Sequence, residues 1–335
     1  MELCYYLPLN YKSIYSIMKL NNIRSISFAA ICCILITSCF QNKTNKTKVI
    51  ASKIVSTNSF EKSVPIEKIN IGNGQMAIRH RRGQGVPLVF VHGSLDNQSS
   101  WFLIVNKLKI KNPIILLDLI GHSNSSLETE KQGSIYQDAN DIIQMIKKLG
   151  YSTANFIGHS YGANIVTTIA ITQPEIANDI ILYEPPLFGL LFGKEKYKEQ
   201  MINSNQIIMK SMDLLQEGNV ESGLELFINK IAFGENSWRD QLTNHTKEVM
   251  INNYKTLLDQ AKDEERLKIN VFQLNNFKGD ITILQGTESL PHFKACIYEL
   301  KEIIDIKETI TIKGAKHSGI FTHSDEIAIE IKKLF

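Results

Sequence analysis

A serine between two glycines is the first feature of this chain that suggests chemistry. Residues 155–163 read NFIGHSYGA, so Ser160 stands in a G-x-S-x-G pattern between a short apolar run and a helix-like one. In a nucleophile elbow, the serine lies on a strained turn from strand to helix, and its hydroxyl projects beyond the sheet. The N-terminus of that helix offers free N–H groups and the positive end of a dipole to a developing oxyanion. We therefore predict that Ser160 is a nucleophile.

Two other segments supply the partners that a nucleophilic serine needs. Residues 87–94 read PLVFVHGS and predict a strand followed by a loop, in which the backbone N–H of Ser94 would join that of Tyr161 to form an oxyanion hole. We interpret His92 as a residue that orders this loop. Near the end of the chain, the segment IKGAKH places His317 in a glycine-containing loop before the final helix. His317 would take the serine proton as general base and later return a proton to the leaving group.

The pattern of apolar runs predicts the elements that position these residues. Most of the runs lack polar alternation, as expected of central strands in a parallel sheet that is covered on both faces. Helix-like stretches lie between them, and this alternation predicts a right-handed parallel α/β sheet. The turn Gly72-Asn73-Gly74 predicts a hairpin between the first two strands. The predicted strands are 67–71, 76–80, 87–91, 114–117, 154–157, 180–183, 281–284 and 308–312, and the predicted helices are 100–108, 135–149, 160–171, 291–304 and 325–334.

One long interval breaks this alternation. Residues 185–277 contain no good strand and are rich in helix-like patterns, so we predict a helical cap over residues 187–277, inserted after the sixth strand. Ligands of open α/β sheets bind at the carboxyl ends of the strands, where such a cap would shape the substrate pocket. Six aromatic residues could line an apolar acyl pocket there or belong to the core: Trp101, Tyr161, Phe188, Phe192, Trp238 and Phe293.

The ordered set of segments LVFVHG, DLIGHSNS, GHSYG and GAKH is far more specific than any one of its members. With this set, the chain from about Ile66 to Phe335 resembles the α/β-hydrolases. The resemblance implies a mostly parallel eight-stranded sheet with helices on both faces and a helical cap after the sixth strand. It also implies a serine hydrolase. The serine at the elbow argues against epoxide hydrolase and haloalkane dehalogenase chemistry, which in this fold use an aspartate at that position.

The carboxylate that would orient the histidine departs from the usual pattern. After the seventh strand these hydrolases commonly carry G-x-x-D, whereas residues 286–289 here read GTES, so that Ser289 stands at the usual aspartate position. Two acids remain open, namely Glu184 at the end of the sixth strand and Glu288 one residue before the usual site. The chain also resembles bacterial hydrolases with a YEPP segment, a cap segment like LLQEGNVESGLELFINKIAFG and a G-x-x-S-x-P turn. That resemblance favours Glu184, with Glu288 as the alternative.

Composition and charge restrict the function classes. The chain has 335 residues, of which 43% are hydrophobic and 21% charged, as in a globular protein with a sizeable core. Residues 1–66 carry eight Lys or Arg and two Glu, so the remainder has a net charge of −3 within a total of +3. This balance argues against a basic groove, and we expect no nucleic-acid partner. No metal-ligand spacing and no glycine-rich phosphate loop is evident, so we expect no metal or other cofactor.

The N-terminal region has the pattern of an export signal. Lys19 and Arg24 precede an apolar run over 26–37, which falls short of the ~20 residues needed to span a bilayer. The next residues complete the sequence ITSC at 36–39, which resembles the bacterial lipobox. That resemblance implies that Cys39 becomes a lipid-modified first residue and anchors the protein in the cell envelope. A plain N-terminal membrane anchor is the alternative.

These features divide the chain into three parts. We expect a signal segment over 1–38, with translation starting at Met18, then the lipidated cysteine and a polar tether over 39–63, and a hydrolase domain over 64–335. Cys296 is the one cysteine of the hydrolase domain, and a single cysteine can form no internal disulfide.

Hydrolysis through an acyl-serine is the simplest reaction for these residues. We expect a carboxylic ester hydrolase that acts on a small-molecule substrate with a small or medium apolar acyl group. The same machinery could also act on lactones, thioesters, amides or carbon–carbon bonds. A peptidase or lactonase of this fold, or a catalytically silent surface binding protein, is the alternative.

Overall fold

The structure, a computed structural model, describes residues 59–72, 74–128 and 133–335. The predicted signal segment, Cys39 and most of the predicted tether lie outside the described residues. Within the described part of the chain, no helix is long and apolar enough to cross a membrane.

A mixed sheet forms the centre of the described chain, and it confirms the predicted fold class. Its order is β1-β2-β4-β3-β6-β7-β8-β9, with β1, β2 and β4 pairing antiparallel and the strands from β4 onward pairing parallel. A short strand, β5, pairs antiparallel with the first two residues of β2 and was not predicted, since two residues leave no detectable periodicity. The strands are β1 Ile66–Ile71, β2 Gly74–Arg81, β3 Leu88–Val91, β4 Ile114–Leu117, β5 Ser126–Leu127, β6 Ala154–His159, β7 Ala177–Tyr183, β8 Ile281–Gly286 and β9 Glu308–Ile312.

Helices cover both faces of this sheet because successive side chains of a strand point in opposite directions. In β3, Val89 joins one apolar layer and Leu88 joins the other. The first layer includes the helices α3, α4 and α10, and the second includes α2 and α12. The helices are α1 Phe60–Ser63, α2 Phe102–Val105, α3 Ile135–Lys148, α4 Tyr161–Thr172, α5 Lys198–Gln216, α6 Val220–Phe227, α7 Ser237–Asp240, α8 Asn244–Asn252, α9 Tyr254–Lys262, α10 Pro291–Lys301, α11 Gly319–Thr322 and α12 Ser324–Leu334.

The chain between β7 and β8 is helical, and we call its residues 187–277 the cap. It contains α5 to α9, a π-helical turn at Ile228–Ala232 and several 3₁₀ turns. The cap has an apolar cluster of its own, which includes Met212, Leu224 and Trp238. Leu95, from the loop after β3, is also part of this cluster. The cap is therefore joined to the sheet domain through packed side chains as well as through the chain itself.

The start of the described chain differs from the predicted boundary at residue 64. Residues Phe60–Ser63 form α1, and the Phe60 side chain is buried in the second apolar layer. The Phe60 backbone N–H donates a hydrogen bond to Asn106 Oδ1 at 2.6 Å. A single helical turn with one apolar residue has no recognisable period, so the sequence pattern predicted that this segment belongs to the polar tether.

Candidate active site

Ser160 lies at a strained turn between β6 and α4. Its backbone has φ 55° and ψ −124°, an arrangement that costs about 1–3 kcal/mol for a residue with a side chain. The Ser160 backbone N–H donates to the Tyr183 carbonyl at 2.9 Å, which fixes the turn against β7. Close backbone contacts require glycine on either side: a Cβ atom at Gly158 would lie 2.5 Å from the Gly162 carbonyl oxygen, and one at Gly162 would lie 2.4 Å from that of His92. The local geometry is that of a nucleophile elbow.

The structure brings His317 together with Glu184 and leaves Glu288 apart. His317 Nδ1 lies 2.7 Å from Glu184 Oε2, and both side chains are buried. The other oxygen of the carboxylate, Oε1, accepts hydrogen bonds from the Gly286 backbone N–H at 2.7 Å and from the Ser289 hydroxyl. Glu288 is exposed, and its carboxylate accepts a long hydrogen bond of 3.5 Å from Thr287. Of the two acids that the sequence left open, Glu184 alone contacts the histidine.

Burial determines the charge state of this pair. It raises the pKa of Glu184 to about 6, against the hydrogen bonds from Gly286 and Ser289 that lower this pKa. Burial also lowers the pKa of His317 well below its ordinary value, and nearby His292 lowers this pKa further. At neutral pH the imidazole is therefore neutral, which is the form that accepts a proton, while the carboxylate is ionised and accepts the Nδ1–H.

Aromatic residues hold the histidine loop in place. The Phe293 ring stacks on the His317 ring with centroids 3.7 Å apart and an angle of 12° between the planes. His159 Nε2 lies 2.9 Å from the His317 carbonyl oxygen, to which it donates. The Tyr183 hydroxyl donates to the Lys316 carbonyl at 2.8 Å. His159 ends β6 directly before Ser160, and Tyr183 pairs with it at the end of β7, so the same two strands position both Ser160 and the histidine.

One pocket contains the predicted nucleophile, the predicted base and both predicted oxyanion residues. Ser160, His317, Ser94 and Tyr161 line it together. Among the described residues, neither the Ser94 nor the Tyr161 backbone N–H has a hydrogen-bond acceptor, so both can donate to an oxyanion. The Ser160 hydroxyl makes no hydrogen bond to His317 in this structure. Such bonds often tighten only when substrate is bound.

His92 has the loop-ordering position that the sequence suggested. Its Nδ1 donates to the Gly93 carbonyl at 2.8 Å, and its Nε2 accepts from the Leu119 backbone N–H at 3.0 Å. Both nitrogens are occupied, and burial lowers the pKa of this imidazole to about 4. The ring therefore joins the loop after β3 to the loop after β4.

Only part of the predicted aromatic lining is present. Tyr161, Phe188 and Phe293 line the pocket. By contrast, Trp101 is in the core against Phe90, Phe192 is exposed and Trp238 is in the apolar cluster of the cap. Sequence spacing cannot tell the pocket side of a helix from its core side, which is why the sequence left both positions open for these residues. The cap residues that the sequence missed include Phe227, Ile228, Ile231 and Phe233.

Two polar cap residues near the site were also not predicted from the sequence. Gln260 lines the pocket and accepts a hydrogen bond from the Ser94 hydroxyl at 2.7 Å. Asn253 is buried and bonds to the loop after β3. Neither residue belongs to a motif, so no signal in the sequence could have identified it. In the part of the chain that the structure describes, no group of three or more His, Cys, Asp or Glu side chains is arranged to hold a metal ion.

The fold and this site define a hydrolase built on an α/β sheet. Residues 86–324 match the family model described as alpha/beta hydrolase fold. The match covers more than half of the chain, and the chain belongs to that family.

Individual relatives are distant. The chain is 30% identical to an (E)-2-((N-methylformamido)methylene)succinate hydrolase from Acinetobacter baylyi over 109 residues, which are 32% of this chain and 41% of that protein. It spans about half the length, or less, of the curated relatives that it matches first. Among solved structures, a carboxylesterase, CesB from Bacillus subtilis, is 14% identical with a TM-score of 0.62, covering 80% of this chain and 90% of that one. An epoxide hydrolase, VrEH1 from Vigna radiata, is also 14% identical with a TM-score of 0.62, covering 82% and 98%. At these identities the two structures support the fold alone.

Proposed function

We propose that this protein is a serine hydrolase that cleaves carboxylic esters through an acyl-serine intermediate. One observation carries the proposal: Ser160, on a strained elbow, shares a pocket with a buried neutral His317 whose Nδ1 is bonded to Glu184. A neutral imidazole next to a serine in a nucleophile elbow is the arrangement that acyl transfer needs. The serine distinguishes this site from one that attacks through an elbow aspartate.

The proposed mechanism assigns one task to each group. His317 removes the Ser160 proton as the hydroxyl attacks the ester carbonyl, and the Ser94 and Tyr161 N–H groups stabilise the oxyanion. His317 then protonates the leaving alcohol, which departs and leaves an acyl-serine. A water molecule, deprotonated by His317, attacks this acyl group. The second oxyanion then collapses, the acid leaves, and His317 returns its proton to the Ser160 oxygen. Glu184 keeps the Nδ1–H of His317 in place and stabilises the imidazolium that forms in each half-reaction.

The cap supports an apolar acyl group as the preferred substrate. Its contribution to the pocket is mostly apolar and includes Met212, Phe227, Ile228, Ile231 and Phe233. Burying such surface against an acyl chain gives about 0.8 kcal/mol per methylene group. We infer a small or medium acyl chain from this lining.

A fluorophosphonate probe and a panel of substrates test the proposal. We expect the probe to label the wild-type protein and not the Ser160→Ala variant. We also expect turnover of p-nitrophenyl esters, with a preferred chain length, in excess of turnover of a lactone or an aminoacyl amide. Absence of both labelling and turnover would favour a silent binding protein, whereas preference for the lactone or the amide would replace the ester assignment.

We further propose that the mature protein is attached to the bacterial cell envelope through a lipid on Cys39. The support comes from the sequence, where ITSC follows an apolar run that is shorter than a membrane span.

A further inference from the structure

We propose that Asn253, a residue of the cap, is a positioning residue for the oxyanion hole, so that the cap contributes to catalysis as well as to substrate choice. The inference rests on the function proposed above. It concerns residues 93–96, the segment after β3 that we call the oxyanion loop, because the Ser94 N–H is one of the two proposed donors.

The Asn253 side chain connects the oxyanion loop to a second loop. Its Nδ2 donates to the Leu95 carbonyl at 3.2 Å and to the Asp96 carbonyl at 2.9 Å. Its Oδ1 accepts from the Ser123 backbone N–H at 3.0 Å, in the loop after β4. With only 2% of its surface exposed, Asn253 makes these contacts away from competing water. A buried amide with all these bonds formed holds its partners in one arrangement.

Both loops need an external restraint at this point. Leu95 has φ 67° and Ser123 has φ 45°, a left-handed conformation that residues with side chains seldom adopt. Each such residue costs of order 1–3 kcal/mol and persists only where its surroundings fix it. The bonds from Asn253 reach both strained residues. Without them, both strained residues would lose a restraint on their backbone angles.

The cap holds the same loop by two further contacts. The Leu95 side chain is completely buried in the apolar cluster of the cap. The Ser94 hydroxyl donates to Gln260 Oε1 at 2.7 Å, and the Gln260 carbonyl in turn accepts from Arg266 Nε at 2.7 Å. Three successive residues, Ser94, Leu95 and Asp96, are therefore bonded or packed to the cap. The direction of the Ser94 N–H follows from these contacts, and a shift of about 1 Å near a reacting group can cost on the order of 100-fold in rate.

The Asn253→Asp variant tests the kinetic consequence with little change in volume. A carboxylate still accepts from the Ser123 N–H but cannot donate to the two carbonyls. We expect kcat/KM to fall about 10–100-fold. This decrease is at most similar to the decrease in rate that follows removal of a whole oxyanion donor. The loss should be the same for p-nitrophenyl acetate and for longer acyl esters, because the oxyanion is common to all of them. A role in substrate binding alone would spare the acetate and would raise KM for the longer esters.

Asn252→Asp is the matched control, since it makes the same chemical change at the exposed neighbouring residue. It should leave kcat/KM within twofold of the wild-type value. If Asn253→Asp does not fold, Gln260→Leu provides a second route, because it removes the bond to Ser94 and should lower kcat for all chain lengths in the same way.

Backbone hydrogen exchange of a peptide covering residues 92–99 gives a readout that does not depend on turnover. We expect faster exchange in Asn253→Asp than in the wild type or Asn252→Asp, with unchanged exchange in the strands β6 and β7. Unchanged loop exchange, or faster loop exchange with undiminished acetate turnover, overturns the inference. If the wild type neither reacts with the fluorophosphonate nor hydrolyses esters, the proposed function fails, while the exchange measurement still decides whether Asn253 holds the loop.

Discussion

Glu184 accepts three hydrogen bonds, and its two oxygens have different partners. Oε2 faces His317 Nδ1, whereas Oε1 is held by the Gly286 N–H and the Ser289 hydroxyl. A buried carboxylate needs such donors, since an ionised group without partners would take up a proton or leave the interior. Ser289, at the position where related hydrolases commonly carry the acid, here supports an acid that comes from another strand.

The two candidate acids predict opposite results for single amide substitutions. We expect Glu184→Gln to lower kcat by about 10³–10⁴-fold, because the amide no longer holds the histidine in the required tautomer or stabilises its charged form. Glu288→Gln, at an exposed side chain, should stay within twofold of the wild type. Steady-state kinetics on one p-nitrophenyl ester, with circular dichroism to verify folding, measures both. A large loss of kcat in Glu288→Gln together with a small loss in Glu184→Gln would assign the acid role to Glu288 instead.

The pH dependence of activity follows from the requirement that Glu184 be ionised. Since burial raises the pKa of Glu184 to about 6, kcat/KM should be full above that pH and fall as the pH drops through it. The hydrogen bond from Ser289 lowers this pKa, so Ser289→Ala should move the acidic limb to higher pH. Ser289→Thr keeps the hydroxyl and should leave the limb near its wild-type position. Identical profiles for all three proteins would show that the Ser289 bond does not stabilise the ionised form.

At the scale of elements, the elbow depends on how closely α4 approaches the end of β3. A Cβ atom at Gly162 would lie 2.4 Å from the carbonyl oxygens of both Val91 and His92, which are backbone atoms that cannot rotate away. The helix and the strand would have to separate to admit a methyl group. The glycines of the motif are thus required by packing between elements and not only by the turn.

We expect Gly162→Ala to lower the free energy of unfolding by about 1–3 kcal/mol, as overpacking does elsewhere. Labelling of Ser160 by a fluorophosphonate should slow as well, because the displaced helix carries the Tyr161 N–H. Urea unfolding and labelling rates give the two readouts. Gly133→Ala is the control, since a Cβ there meets no described atom within 4 Å and should change the stability by less than about 0.5 kcal/mol. Equal stability of the two variants would contradict the close approach seen here.

At the scale of the whole molecule, the cap and the sheet domain both contribute to the candidate active site. The sheet supplies Ser160, His317 and Glu184, while the cap supplies most of the apolar lining and the bonds to the oxyanion loop. Ion pairs also connect the start of the cap to the sheet domain, since Glu299 of α10 pairs with Lys194 and Lys196 of the cap. Changes in the cap should therefore alter both substrate preference and the rate on the smallest substrates.

The proposed lipid anchor gives a prediction for the location of the whole chain. Cys39→Ala should release the protein from the membrane fraction of bacterial cells and abolish labelling by a fatty-acid analogue. The reason is that the variant lacks the thiol at the end of ITSC to which the lipid would be attached. Cys33→Ala, within the same apolar region, should change neither result. Retention of Cys39→Ala in the membrane would favour an uncleaved N-terminal anchor instead.

The sequence by itself determined the order of the motifs, the mostly parallel α/β sheet and the choice of Ser160 and His317 as candidate catalytic residues. These depend on local patterns, such as apolar runs of strand length and a serine between glycines at a strand-to-helix junction. Only tertiary structure shows which of the two acids contacts His317. Tyr183 of β7 pairs with Leu284 of β8, so the next residue, Glu184, comes beside the Gly286 N–H and within reach of His317. The proposed roles of Leu95, Asn253 and the cap aromatics likewise depend on contacts between residues far apart in sequence, which no local pattern contains.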